Sequence, residues 1–401
     1  MRPVLSFKEI IDPVSPELFF KEYYEKKFLH VSRNNPLYFN NVLNVDDIGL
    51  HLQNKLLRLP TISLVNNGNM VHESLWSKDR TLNGVSLGKM ADNDKVFDYF
   101  NTGCTITLND AHRYLGNLIN FCTALEKELK FRVQTNIYIT PPGAQGFDIH
   151  YDTHDVFALQ VFGTKQWKLY DMTRELPLDE HKADRDAHIG KTPQDDFLVH
   201  PGDVLYIPRG LTHAAVSTDH VSIHITLGFL PYKGTDLVNE LHKSSKERLF
   251  FRKSRPHGFS TEQERKEYKL EFEKELRLLV AENTTEQLLE KTEQKFFEEK
   301  SSDDSSRFLD LTRINDLNLN SVLCRRKSIL LETSNGNGEI KVSWNKKNIA
   351  LPVFLAPSVN FVLNNDKFLV KDIQGLIDDK GKVDLCKKFI SDGILCIESV
   401  N

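Results

Sequence analysis

The sequence predicts an α+β protein: a small β-barrel, then a helical region, then a compact mixed unit at the C-terminus. Three observations carry this. Residues from about 102 to 230 are rich in short apolar strands separated by Pro/Gly turns. From Gly234 to Lys300 the apolar spacing becomes helical. Beyond a polar linker, short helical stretches flank a strand pair around an Asn/Gly-rich turn. The 401 residues exceed one typical domain, and the expected limits are 1–232, 233–306 and 307–401.

In the first ninety residues the pattern is mixed. Ser15 to Tyr24 reads as an amphipathic helix, because Ser15 can cap its N-terminus and Glu17 favours the first turn. Asn44-Val45-Asp46-Asp47-Ile48 starts another.

A helix is expected between His112 and Lys130. Thr135 to Thr140 alternates as a strand and stops at Pro141-Pro142-Gly143. Asp155 to Phe162 is a mostly apolar run, consistent with a buried strand. Gly163-Thr164 suits a hairpin connection, from which Lys165 to Tyr170 returns. Residues 171–200 are polar and read as a long loop near the barrel mouth. Pro201-Gly202-Asp203 is a turn and Val204 to Ile207 a short strand. Pro208-Arg209-Gly210 forces the chain off that strand, and His213 lies on the next. His220 to Phe229 closes the region.

Farther on, Ser260-Thr261-Glu262-Gln263 and Asn283-Thr284-Thr285-Glu286 resemble capping boxes. Tyr268, Phe272, Leu276 and Val280 recur every four residues, as in a core stripe or a dimer seam. Residues 298–306 form a polar linker. Ser328 to Glu332 and Glu339 to Trp344 are strands across Asn335-Gly336-Asn337-Gly338. With helical segments and Gly393 to Ile397 after them, they suggest a winged-helix-like module.

The chemistry concentrates in two pieces. In a strand, residues i and i+2 share a face, so His150 and Asp152 of His150-Tyr151-Asp152 would aim at one point. A third ligand must come from elsewhere, and His213 is a good candidate. Two imidazoles and one carboxylate, with the remaining positions open, make the facial triad of non-heme Fe(II) oxygenases. A lone His-x-Asp is common by chance. The second piece, Gly202-x5-Pro208-Arg209-Gly210-x2-His213, is more restrictive. It resembles the second motif of the cupin superfamily, with Ser217 where the generic motif has Asn.

Beyond the ligands, the chain resembles the Jumonji C oxygenases of the ribosomal-oxygenase type. Asn136 to Phe147 is similar to the family's strand leading into the metal motif. His150 to Tyr170 is similar to the signature itself. The order of oxygenase, helical and winged-helix-like domains is also the family's. The resemblance implies a double-stranded β-helix (jelly-roll, cupin-like) domain, a helical domain that mediates homodimerisation, and hydroxylation of ribosomal-protein side chains with Fe(II), O2 and 2-oxoglutarate. It implies His150, Asp152 and His213 as iron ligands and Lys165 as the residue binding the distal carboxylate of 2-oxoglutarate. Asn136 and Tyr138, two apart and so on one face, would lie in the cosubstrate pocket or beside the metal.

There is a physical case for Lys165 as well. A small dianion in a barrel needs a fixed cation at one end and the metal at the other. Such a charge-assisted bond contributes roughly 1.5–3 kcal/mol. The chain also departs from the family. Ile149 replaces a common Pro, Thr153-His154 replaces acidic residues, and Gly228 replaces a polar residue of some members. These changes leave the metal chemistry intact and the substrate open. His154 has the strand parity of His150 and Asp152, while His220 and His224 read as structural.

Composition excludes other classes. With 52 basic and 56 acidic residues, net charge −4, no general grip on nucleic acid is expected. No apolar run spans a bilayer, and the start lacks a signal-peptide core. The five cysteines form no Cys-x-x-Cys and read as reduced core residues of a cytoplasmic protein. Two other functions fit the same motifs: a hydroxylase of peptides or natural-product precursors, and a non-catalytic metal-binding cupin.

Overall fold

The structure is a computed structural model that describes residues 4–54, 57–181, 192–298, 307–326, 329, 331–336, 338–344 and 347–400. It divides into two compact units, residues 1–230 and 231–401.

The first unit begins with helices that cover a sheet. Ser6 and Glu9 form a reciprocal capping box at α1 (Phe7–Ile11), and Ser15 caps α2 (Pro16–Glu22), whose first residue is proline. Their rings Phe7 and Phe19 are buried against Phe157, with centroids 5.9 and 5.5 Å away. Full burial of each such side chain stabilises by about 1.5–3 kcal/mol. Next come β1 (Leu29–Val31) and α3 (Val45–Leu52), the latter boxed by Asn44 and Asp47. After them lie β2 (Ile62–Asn66), β3 (Asn69–Met70), the pair β4 (Ser77–Leu82) and β5 (Val85–Ala91), and α4 (Asn93–Asn101). Then come β6 (Thr105–Leu108) and α5 (Gly116–Leu129).

The barrel strands are β7 (Arg132–Thr140), β8 (Asp155–Phe162), β9 (Lys165–Met172), β10 (Asp195–Val199), β11 (Val204–Ile207), β12 (Leu211–Ser217) and β13 (Ser222–Leu230). They form two sheets, ordered β1-β11-β8-β13-β7-β6-β2-β3 and β10-β9-β12. The period-2 alternation of β7 sorts its residues. Ile137 and Ile139 join the apolar cluster under the helices, while Asn136 and Tyr138 line a cavity shared with residues of the small sheet. This is the two-sheet jelly-roll arrangement expected of the barrel.

Several sequence expectations are corrected here. Gly163-Thr164 does not close a hairpin. β8 pairs with β11 and β13, whereas β9 pairs with β10 and β12, so the turn carries the chain from one sheet to the other. Gly163 has φ +62, and a Cβ there would lie 1.9 Å from the Val221 carbonyl oxygen. Within the expected loop 171–200, Asp195–Val199 is a strand, because β9 offers it an open edge. Residues 182–191 of that loop lie outside the described residues. His150 and Asp152 are not on a ladder strand. They sit in an extended segment tied to β12 by isolated bridges, Gln145↔Val216 and His150↔His213.

In the second unit, α6 (Gly234–Ser245), α7 (Leu249–Arg252), α8 (Glu262–Glu282) and α9 (Thr285–Glu298) come first. Both capping boxes fall one residue later than the sequence suggested. Thr261 pairs with Glu264 at α8, and Thr284 with Gln287 at α9. Tyr268 and Phe272 pack near Phe250 of α7, while Leu276 and Val280 stay 40% and 52% exposed. The expected linker, from residue 299 to 306, lies outside the described residues.

After α10 (Arg307–Arg313), two three-stranded sheets share one apolar core with α11 (Ala356–Asn364) and α12 (Asp379–Ser391). One has β14 (Val322–Arg325) between β18 (Lys367–Leu369) and β19 (Leu395–Ser399). The other runs β15 (Glu332–Gly336), β16 (Glu339–Trp344), β17 (Lys347–Pro352). Ser328, Leu330 and Asn337, within the expected hairpin, lie outside the described residues. Helix α9 packs on β16, so the helical and C-terminal segments form one unit. Cys104, Cys122 and Cys386 are buried as expected of core residues. Cys324 and Cys396 are only half-buried and sit opposite each other on β14 and β19.

Candidate metal centre and cosubstrate cavity

His150 and His213 meet through backbone pairing. His150 N–H donates to the His213 carbonyl at 3.1 Å, and His213 N–H donates to the His150 carbonyl at 2.8 Å. Opposed residues of such a pair send their side chains to the same face, and the two imidazole centroids lie 4.6 Å apart. Asp152 is held by Gly210, whose N–H donates to the Asp152 carbonyl at 3.0 Å. Gly210 itself has φ +87, and a Cβ there would stand 1.8 Å from the Arg174 carbonyl oxygen. No other residue fits this turn, which explains Pro208-Arg209-Gly210.

The three side chains converge. Asp152 Oδ1 is 3.9 Å from His150 Nε2, and Asp152 Oδ2 is 3.7 Å from His213 Nε2. One ligand atom from each lies within 4.8 Å of the others. Both histidines donate Nδ1–H to a backbone carbonyl: His150 to Asp148 at 2.6 Å and His213 to Leu211 at 3.0 Å. A carbonyl can only accept, so each ring is fixed with its Nε2 lone pair facing the centre. Burial and the neighbouring His150 push His213 down to about 4, so its imidazole is neutral at neutral pH. Burial alone would raise the Asp152 carboxyl. The imidazoles of His150, His213 and His154 outweigh it and hold the group below its ordinary range. This donor set fits one divalent cation with open positions.

One cavity of about 190 Å³ is lined by all six residues singled out from the sequence: Asn136, Tyr138, His150, Asp152, Lys165 and His213. Lys165 is buried at its inner end, 3% exposed, and its ammonium donates to the Thr140 hydroxyl at 3.1 Å. Among the described residues it pairs with no carboxylate. Burial pulls it down to about 7. A buried cation without a counter-charge costs several kcal/mol, so this position fits an anionic ligand. Asn136 Oδ1 accepts from the Asp110 N–H at 3.0 Å. Burial raises the Tyr138 hydroxyl well above its ordinary value. Its ring stacks on His224 at 4.9 Å, and Trp167 stands 5.7 Å from His224 and 5.8 Å from His213.

The sequence did not single out the cavity residues Phe147, Trp167, His224 and Thr226, nor Thr140, which holds Lys165. Strand parity would have found most of them. Thr140 is four residues past Asn136, and Trp167 is two past Lys165. His224 and Thr226 face Tyr138 and Asn136 across the β13–β7 ladder. His224, read as structural, is buried and pushed well below its ordinary value, first by burial and then by Lys165. His220 is exposed and does not line the cavity.

The JmjC domain family matches residues 108–237, the segment that holds every residue of this centre. Over this segment the chain is similar to JmjC domains. It is 34% identical over 230 residues to ribosomal oxygenase 2 of Mus musculus, spanning 56% of this chain and 47% of that one. It is 32% identical over 251 residues to the bifunctional lysine-specific demethylase and histidyl-hydroxylase NO66 of Drosophila willistoni, spanning 60% and 30%. The chain thus spans less than half the length of these curated relatives. The fold extends to solved structures of Escherichia coli ycfD. One superposes with TM-score 0.58 at 15% identity, covering 96% of this chain and 98% of that one. A second, in complex with cobalt and 2-oxoglutarate, has TM-score 0.53 at 16% identity and covers 96% and 99%.

Proposed function

We propose that this chain is an Fe(II)- and 2-oxoglutarate-dependent dioxygenase that hydroxylates a protein side chain, with a ribosomal protein as substrate. The observation that carries this is the pairing, in one cavity, of a His-Asp-His ligand set with a buried lysine that has no carboxylate partner among the described residues. The relatives named ribosomal oxygenase and histidyl-hydroxylase support the substrate class.

His150, Asp152 and His213 would hold Fe(II) at the cavity wall. Lys165 would receive the distal carboxylate of 2-oxoglutarate, with the Thr140 hydroxyl orienting the ammonium. Asn136 and Tyr138 flank the space between. When bound, the metal and cosubstrate supply the activation of O2 needed to hydroxylate an unactivated C–H bond. The protein supplies orientation and a dry wall: Trp167, Phe147 and Val156 shield the centre from water.

The finer organisation belongs to the same proposal. Residues 233–306 form a homodimerisation domain, supported by the exposed apolar positions of α8. Residues 307–401 form a winged-helix-like domain, supported by the β15–β17 sheet and its helices. No helix among the described residues is long and apolar enough to cross a membrane. Three of the five cysteines are buried and none forms a Cys-x-x-Cys, which supports a cytoplasmic setting.

The test is an anaerobic titration of the apoprotein with Fe(II) and 2-oxoglutarate, watching the visible metal-to-ligand charge-transfer band. A band in the wild type that is lost in Asp152→Ala is the expected result. Folded protein without a band would reduce the cavity to a binding site without this chemistry.

A further inference from the structure

His154 occupies a place that the neighbouring strands leave empty. Gln134 of β7, Gly228 of β13 and Val156 of β8 lie side by side across the large sheet. The His154 ring lies over Gly228. A Cβ at 228 would stand 2.7 Å from His154 Cδ2 and 2.8 Å from its Nε2. That nitrogen is also 3.4 Å from the Gln134 amide nitrogen. The ring lines the cavity beside Asp152 and Val156.

Its position along the cavity follows from strand parity. Gln134, Asn136, Tyr138 and Thr140 share one face of β7. Thr140 marks the Lys165 end and Gln134 the other, roughly 20 Å of strand away. His154 therefore stands at the end left for the substrate side chain. The charges there are spoken for. Among the described lining residues Asp152 is the only carboxylate, and it belongs to the metal set. An entering guanidinium or ammonium would find no counter-charge, and an unpaired buried charge is costly. An imidazole or carboxamide would find hydrogen-bonding partners in His154 and Asn136.

We propose that His154, seated in the gap at Gly228 and steadied by Gln134, is the specificity-determining residue, and that it selects an uncharged hydrogen-bonding side chain over arginine or lysine. This rests on the dioxygenase reading above.

The experiment uses the full chain with Fe(II), 2-oxoglutarate and O2, offered extracted ribosomal proteins, with the site of oxygen gain mapped by mass spectrometry. The expected product carries the oxygen on histidine, asparagine or glutamine. A peptide around that site then gives KM and kcat. His154→Ala should raise KM about tenfold with kcat nearly constant. Gly228→Ala, which drives the ring from its seat, should do the same. The double variant should be no worse than either single one, since both remove one interaction. Oxygen on arginine or lysine, an unchanged KM in both variants, or additive effects would overturn the proposal while leaving the dioxygenase reading intact. A charge-transfer band without any protein product would overturn the protein-hydroxylase reading, and this proposal with it.

Discussion

At the scale of single residues, Lys165 sets the pH behaviour. Its ordinary value is 10.5, and burial in the fold lowers it to about 7. Between these values the unfolded chain holds a proton that the folded chain has released. The burial penalty on the ligand-free fold is therefore complete below about pH 7 and relieved as pH rises toward 10.5. A dianion needs the ammonium, so cosubstrate binding above pH 7 takes up a proton. The 2-oxoglutarate affinity should fall between pH 7 and 9, by up to about tenfold per unit. Calorimetry in buffers of different ionisation enthalpy checks this at pH 8, where proton uptake should be visible. In Lys165→Ala the pH dependence should vanish and the 2-oxoglutarate requirement rise about 10–100-fold. A flat affinity in the wild type would remove Lys165 from the carboxylate. The placement of Lys165 in the cavity is legible in the sequence from its place after Gly163-Thr164. That of Thr140 is not, because a threonine at the end of a strand carries no local sign of what faces it from another sheet.

At the scale of elements, local signals held and non-local ones did not. Strand β11 matches Val204–Ile207 of the sequence, since an apolar run between two turns has little choice. The partner of β9 was not legible, because its sheet pairing joins residues far apart in the chain, such as Leu169 with Asp195 and Lys165 with Ser217, and Gly163 looks the same in a hairpin as in a sheet-to-sheet crossing. The Pro208-Arg209-Gly210 turn offers a test. Gly210→Ala meets both φ +87 and the Arg174 carbonyl, and strain of this kind costs about 1–3 kcal/mol or more. The same turn holds the Asp152 backbone, so a lowered melting temperature should come with weakened Fe(II) binding. A variant that melts earlier but binds the metal normally would show that the turn serves stability alone. Helix α8 carries a second test. Leu276 and Val280 are exposed on a helix whose other rings pack locally. If this face joins two copies, light scattering should give twice the chain mass for the wild type. Leu276→Asp with Val280→Asp should give one chain mass and an unchanged helical circular dichroism spectrum. A monomeric wild type would reject the dimer.

At the scale of the whole molecule, the class of architecture was legible because the hydrophobic period changes along the chain, from 2 in the barrel to 3.6 beyond Gly234. The grouping of the last two regions into one compact unit was not legible, since it depends on α9 meeting β16. That grouping has a thermodynamic consequence. Every residue of the centre lies in the first unit, between Asn136 and Thr226. A ligand that binds only the folded state stabilises the cooperative block that contains its site, by about 2.7 kcal/mol at one hundred times its Kd. For a block of this size that is roughly 5–10 °C. Anaerobic scanning calorimetry with Fe(II) and 2-oxoglutarate should therefore show two transitions, of which one moves up and the other stays. Lys165→Ala should shrink the shift at fixed 2-oxoglutarate without moving the second transition. A single transition displaced as a whole would mean that the two units unfold as one cooperative block.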